Sequence, residues 1–208
     1  MVQEVFFPEG ILLSMERTWY SPMLLTPAKE LPVGPEWGYE VKLDGYRAIA
    51  FAGLERQILR SRNGNNFTNR FIPVARDLIA AMNGHNAVLD GEMVGHNRKG
   101  QPDFTVLQTK NPRPVLYIFD LLSLDEEPLL DQPLSQRRDR LREVFVAQEH
   151  AKLFDMFTIR DQTVDTAREH GQEGVIAKKL SSHYRPGVRT PNWRKMKFKD
   201  YPTDFSRR

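Results

Sequence analysis

The chain has 208 residues, with 30 Lys and Arg against 27 Asp and Glu, a formal net charge of +3, and no cysteine. That length builds one sizeable core and is short for two ordinary domains. Without cysteine there can be no disulfide or thiolate-ligated zinc, which suits a reducing, cytoplasmic setting, and no basic leader precedes the brief Ile11-Leu12-Leu13 run, so neither a signal peptide nor a membrane span is expected.

Residues 1 to about 36 read as an irregular lead-in punctuated by Pro8, Pro22, Pro27, Pro32 and Pro35. Tyr39, Val41 and Leu43 then alternate with Glu40 and Lys42, the pattern of a strand with one apolar face. Two more strands, Ala48 to Ala52 and Gln57 to Ser61, flank the Gly53 turn, and apolar residues at helical spacing predict a helix from Phe71 to Met82 with Gly84 as its stop. Strands follow at Ala87 to Gly95 and Val115 to Leu122. A helix capped by Ser135 is expected to run to about His150, with Leu141, Val144 and Phe145 inward. A short helix at Thr163 to His170 ends at Gly171, and strands complete the chain at Gly174 to Leu180 and Trp193 to Phe198. Hairpins and separate helices in this order predict an α+β fold rather than a doubly wound parallel sheet.

Charge is unevenly spread. From Lys178 to Lys199 there are eight Lys and Arg and no acid. A run of this kind suits either a solvated face or a phosphate-bearing ligand.

The octet Glu40-Val41-Lys42-Leu43-Asp44-Gly45-Tyr46-Arg47 places a lysine at the end of a strand, before an Asp-Gly turn. A lysine becomes a nucleophile when burial or neighbouring cations disfavour its charged form, and Arg47 can grip a phosphate through two parallel hydrogen bonds. An ordinary surface hairpin with solvated charges fits the octet equally well.

Five further segments stand in a fixed order after it: Ser61-Arg62-Asn63-Gly64, Leu89-Asp90-Gly91-Glu92, Tyr117-Ile118-Phe119-Asp120-Leu121, Glu173-Gly174-Val175-Ile176-Ala177-Lys178 and Trp193-Arg194-Lys195-Met196-Lys197. Strand alternation puts Asp90 with Glu92, and Lys195 with Lys197, on shared faces. Together with K-x-D-G-x-R the set resembles the covalent nucleotidyltransferases, and most closely the ATP-dependent DNA ligase module of bacterial ligase D, over roughly residues 22 to 199.

The resemblance implies an adenylation domain over 22–200, a lead-in over 1–21 and a tail over 201–208. Its fold would be of mostly antiparallel sheets flanked by helices, with the family's OB-fold domain absent. Lys42 would be adenylated by ATP, Glu40 would accept from the adenine amino group, and Phe119 would stack on the ring. Arg47 and Arg62 would hold sugar and phosphates, Lys195 and Lys197 the α-phosphate. Glu92 would bind the ribose and help place Mg²⁺ or Mn²⁺, and Glu173 would bind the metal directly. The implied partner is nicked double-stranded DNA in repair or end joining, with Arg185, Arg189 and Lys199 as candidates for its phosphates and an OB-fold domain or end-joining protein supplied in trans. The protein would be a monomer of the bacterial cytoplasm, acting at the nucleoid and away from membranes. Phe119 as plain core and Glu173 as a loop acid stay open as alternatives, while Asp90 and Asp120 read as structural. An RNA ligase, a capping guanylyltransferase, or a weak nucleotide- or DNA-binding module are the rival functions.

Overall fold

The computed structural model describes residues 20–54, 56–110, 112–199 and 201. Residues 1–19 of the expected lead-in (1–21) and 202–208 of the expected tail (201–208) lie outside the described residues.

Two sheets carry the molecule. The first contains β1 (Leu24–Pro27), β2 (Trp37–Lys42), β9 (Gly174–Lys179) and β10 (Arg189–Lys197), in the order β1-β10-β9-β2. The second contains β3 (Tyr46–Ala52), β4 (Gln57–Ser61), β5 (Ala87–Gly95), β6 (Pro114–Leu124) and β7 (Glu127–Pro128), in the order β4-β3-β5-β6-β7, with β8 (Ala151–Leu153) paired to β6. The β1–β10 and β6–β8 pairs are parallel and the other strand pairs antiparallel. The helices are α1 (Ile72–Ala81), α2 (Phe104–Leu107), α3 (Leu134–Val144) and α4 (Arg160–Glu169). This is the expected α+β arrangement.

Period-2 alternation sorts the side chains into three apolar layers. Ala48, Ala50 and Ala52 of β3 and Leu89 and Met93 of β5 meet Val74, Leu78 and Ala81 of α1 on the outer face of the second sheet. Losing the buried Leu78 side chain to alanine would cost ~2–5 kcal/mol there. On the far side of the first sheet, Tyr39, Val175 and Ala177 pack with Ala167 of α4. Between the sheets lie Ile49, Val88, Phe119 and Leu122 from one and Trp193 from the other, joined by Met23, Leu134 and Tyr184.

Several expectations are corrected. The stretch read as irregular up to residue 36 contains β1, which needs β10 from the other end of the chain as its partner. The helix expected to reach His150 ends at Val144. Phe145 turns extended (φ −93°, ψ 129°), its ring packs in the core, and Val146 N–H bonds to the Ala81 carbonyl, which sends the chain into β8. Ser135 does not cap that helix: Pro133 stands at the cap position, and Ser135 N–H is taken by the Leu180 carbonyl. The helix expected from Thr163 begins at Arg160, because the Thr163 hydroxyl bonds back to the Ile159 carbonyl inside the first turn.

Leu43-Asp44-Gly45 is no hairpin. It carries the chain from β2 in one sheet to β3 in the other. Gly45 is required by close approach rather than by a left-handed φ, since a Cβ there would sit 2.1 Å from the Met93 carbonyl oxygen.

Candidate active site

The crossover at residues 43–45 fixes where the inner faces of the two sheets meet. Alternation aims Glu40 and Lys42 of β2, Ile176 and Lys178 of β9, and Lys195 and Lys197 of β10 to one inner face. Arg47 of β3 and Asp90 and Glu92 of β5 come from the opposite wall. A cleft of about 470 Å³ opens between them, lined by Lys42, Arg47, Arg62, Glu92, Arg189 and Lys195 among others. Behind it, a recess of about 50 Å³ is lined by Glu40, Phe119, Phe154, Ile176 and Lys178, and Lys42, Arg47 and Glu92 border both spaces.

Lys42 is the last residue of β2, and its side chain is 16% exposed. Its ammonium is ion-paired with Glu173, whose other oxygen is paired with Lys197. Glu173 immediately precedes β9, opposite Lys42, in a position that depends on Gly174: a Cβ on that glycine would lie 2.0 Å from the Met196 carbonyl. Burial pushes the Glu173 carboxyl up, and Lys42 and Lys197 more than reverse this, leaving it below its usual range. Burial and the neighbouring Lys42 and Lys197 hold the Lys195 ammonium below its ordinary value. Glu92 behaves in the opposite way: burial pushes it up to about 7, Lys42 and Arg47 oppose the shift, and Asp90 and Glu173 add to it.

Arg47 is gripped by Asp90 through two hydrogen bonds, from Nε at 2.5 Å and Nη2 at 2.6 Å. Asp90 in turn accepts from the Tyr184 hydroxyl at 2.7 Å, and that hydroxyl accepts from Met23 N–H at 2.9 Å. Burial disfavours the Arg47 charge, but Asp90 outweighs it and keeps the guanidinium firmly protonated. Asp90 is therefore the structural group its sequence context suggested, with Arg47 as its client.

Phe119 is the extra residue of a β-bulge. Asp90 pairs with Asp120 and Gly91 with Ile118, so Phe119 has no cross-strand partner on β5, and bulges of this kind re-aim a side chain next to functional sites. Its ring points between the sheets, edge-on to Trp193, with Lys178 Nζ 3.7 Å and Arg47 Cζ 4.7 Å from its centroid. It serves the core and lines the recess at once. Glu40, 1% exposed, is paired with Lys178 at 2.6 Å and Arg138 at 3.2 Å. The buried Lys178 ammonium falls to about 8: burial lowers it, Glu40 raises it, and Arg138 and Arg47 lower it further.

All the sequence-derived candidates except Lys197 and Glu173 line one of the two spaces, and those two are bound to each other, Glu173 also to Lys42. Arg62 is exposed on the turn after β4, at the mouth of the cleft. Sequence reasoning did not single out Arg138, Lys178, Ile176 or Tyr184 as site residues, and Arg189, a candidate for duplex phosphates, lines the cleft. Lys178 and Ile176 share the face of Gly174 on β9, a signal that alternation offered.

A cleft of cations facing a strand-end lysine is what a triphosphate requires, and the whole of it falls inside one recognisable unit. The family model described as the ATP dependent DNA ligase domain matches residues 22–197. The chain belongs to that family. Among curated relatives of this ligase domain, the multifunctional non-homologous end joining protein LigD of Pseudomonas aeruginosa is 35% identical over 187 residues, covering 86% of this chain and 22% of that protein. The DNA ligase of Thermococcus onnurineus is 32% identical over 186 residues, covering 80% of this chain and 33% of that one. The solved ligase domain of Mycobacterium tuberculosis LigD superposes with a TM-score of 0.73 at 32% identity, covering 86% of this chain and 60% of that chain. The chain thus spans between 22% and 33% of the length of these two curated ligases. Its fold is that of an adenylation domain of ATP-dependent DNA ligases. Among the described residues no helix is long and apolar enough to cross a membrane.

Proposed function

We propose that Lys42 is the nucleophile of a DNA-joining reaction and carries AMP between ATP and a DNA 5′-phosphate. Deprotonated Nζ attacks the α-phosphate, a nitrogen–phosphorus bond forms, and pyrophosphate leaves. The DNA 5′-phosphate then takes the AMP and frees the lysine, and attack by the 3′-hydroxyl releases AMP. The observation that carries this reading is the position of Lys42 at the junction of cleft and recess, bordering both. A base in the recess would leave its phosphates in the cation-lined cleft, with Lys42 between them. A mycobacterial DNA ligase D has been solved in complex with ATP, which supports ATP as the nucleotide.

Nucleotidyl transfer demands positioning and charge neutralisation more than covalent help. In this reading Glu40 and Phe119 hold the base, and Arg47 and Arg62 the sugar and phosphates. Lys195 and Lys197 meet the α-phosphate, where negative charge builds. Glu92 and Glu173 fit Mg²⁺ or Mn²⁺: two carboxylates close enough to perturb each other suit a hard cation that shares its shell with phosphate oxygens and waters. Among the described residues no cluster of three or more metal-ligating side chains exists, so the ion would be held jointly with the nucleotide. Bound there, it would neutralise charge on the triphosphate. Glu173, paired here with Lys42 and Lys197, would hold the ion together with Glu92. Nicked duplex DNA is the substrate we propose, in repair or end joining, with an OB-fold domain or end-joining protein acting beside it in trans and the protein itself a cytoplasmic monomer.

Incubation with labelled ATP, then denaturation, tests the covalent step. Label resistant to alkali and lost in acid is expected on the wild type. It should be absent from Lys42→Ala and from Lys42→Arg, because arginine keeps its proton at working pH. Label retained by Lys42→Ala would place the nucleophile elsewhere.

A further inference from the structure

Arg138 lines neither the cleft nor the recess, yet it reaches three residues that line the recess. From α3, its Nη1 donates to Glu40 Oε1 at 3.2 Å and to the Phe119 carbonyl at 2.8 Å, and its Nη2 donates to the Phe154 carbonyl at 2.7 Å. Those partners belong to three separate segments: β2 in the first sheet, β6 in the second, and the residue following β8. The Phe119 carbonyl is available because the bulge leaves that residue without a cross-strand partner on β5. Its neighbour Arg137 holds Asp120, the next residue of β6, through two hydrogen bonds of 2.8 and 2.7 Å. Successive arginines of α3 therefore pin successive residues of the bulged strand.

We infer that Arg138 is a positioning residue for base selection, fixing the Glu40 carboxylate and the Phe119 ring relative to one another. This rests on the reading above, in which the recess receives the base. Glu40 spends one oxygen on Arg138 and the other on Lys178. An ionised carboxylate accepts at roughly four sites and donates at none. Held between two cations, Glu40 keeps acceptor capacity for a further donor and has nothing to offer an acceptor. That is the complement of a purine bearing an exocyclic amino group. A planar guanidinium with five N–H donors can bridge a carboxylate and two carbonyls at fixed angles, which a lysine ammonium on its flexible stem does less rigidly.

The test compares ATP with purine ribonucleoside triphosphate, in which hydrogen replaces the 6-amino group. Each is titrated calorimetrically into the 208-residue protein in EDTA, so that binding is read without turnover. The wild type is expected to prefer ATP by about tenfold or more, the lower end of what one hydrogen bond to a charged group supplies. In Arg138→Met and Arg138→Gln the preference should fall to within about threefold, the change lying on the ATP side, and Glu40→Gln should abolish it as well. If the Arg138 variants weaken both nucleotides by one factor and keep the preference while Glu40→Gln loses it, Arg138 is only a structural clamp and the inference is overturned. If the wild type shows no preference or no ATP binding, or Glu40→Gln retains the preference, the base-binding reading itself fails, and this inference with it. Should neither substitution give a cooperatively folded protein, Arg138→Lys carries the comparison with the same two outcomes.

Discussion

Replacing Asp120 by Asn measures how much of the inter-sheet layer depends on one buried ion pair. Arg137 is fully buried. It gives two parallel hydrogen bonds to Asp120, of 2.8 and 2.7 Å, and two more to the carbonyls of Gln132 and Ser182, at 2.6 and 3.1 Å. Asparagine keeps the shape of the side chain, turns one acceptor into a donor facing the guanidinium, and leaves a buried charge uncompensated. Removing one partner of such a pair costs ~3–5 kcal/mol. For a chain of this size that corresponds to a fall of roughly 6–20 °C in Tm. Exchanging both partners, Asp120→Leu with Arg137→Met, removes the charge. The Ser182 carbonyl keeps its bond from Leu134 N–H, so among the groups that bind Arg137 the stranded acceptor is the Gln132 carbonyl. The double variant should therefore lose only ~1–3 kcal/mol, less than either single change. Urea unfolding read by tryptophan fluorescence suits the question, because Trp193 packs edge-on against Tyr184 and Phe119 in the affected layer. Asp120→Asn unfolding within ~1 kcal/mol of wild type would refute the reasoning, as would a double variant as damaged as the two singles summed.

The pH dependence of stability should expose Glu92. Its folded value of about 7 lies above the ordinary 4.5, so its contribution is full below about 4.5 and is lost as pH rises through about 7. The wild type should accordingly lose stability relative to Glu92→Gln across that window in urea unfolding, and a difference constant with pH would contradict the assignment. Gly45→Ala drives a Cβ to 2.1 Å from the Met93 carbonyl oxygen, a backbone atom that cannot step aside cheaply. We expect ~1–3 kcal/mol lower stability in the same assay, and an unchanged midpoint would show that the crossover is looser than described. Binding to nicked duplex should be independent of sequence and should weaken steeply with salt, with Lys199→Ala reducing the slope of log K against log salt by ~0.9. An unchanged slope would remove Lys199 from the DNA-facing surface.

What could be read in advance followed local periodicity. β2 shows itself by alternation and β3, β4, β5 and β6 by short apolar runs, each expected within a few residues of its observed span, and alternation pairs Lys195 with Lys197 on one face. β1 was hidden because it is four residues long, ends in Pro27, and pairs with a strand from the far end of the chain. α3 ends short of its expected span because Val144 and Phe145 continue the helical spacing, while the packing of Phe145 and the bond from Val146 to Ala81 draw the chain away. The site was legible wherever a motif named a side chain and illegible wherever a tertiary contact redirected one. Arg137 and Arg138 stand on a strongly polar helix, where charged residues ordinarily face solvent, yet both are buried. Nothing in the local sequence marks Phe119 as a bulge, since the skip is defined only by the register of β5 against β6.

The division of strands between the sheets also sets an order of assembly. The second sheet is built from one continuous stretch, β3 to β8, whereas the first joins β1 and β2 to β9 and β10. Lys42 and Glu173 are 131 residues apart in sequence, and Arg189 and Leu25 are 164 apart. Contacts so distant bear the full entropy of loop closure and come late in folding. On the ribosome, the wall bearing Lys195 and Lys197 cannot exist until almost the whole domain has emerged. Lys42 is thus made early and given its partners last, and a chain severed within the 180–188 loop would keep the second sheet's strands while losing β10 and the cations it carries.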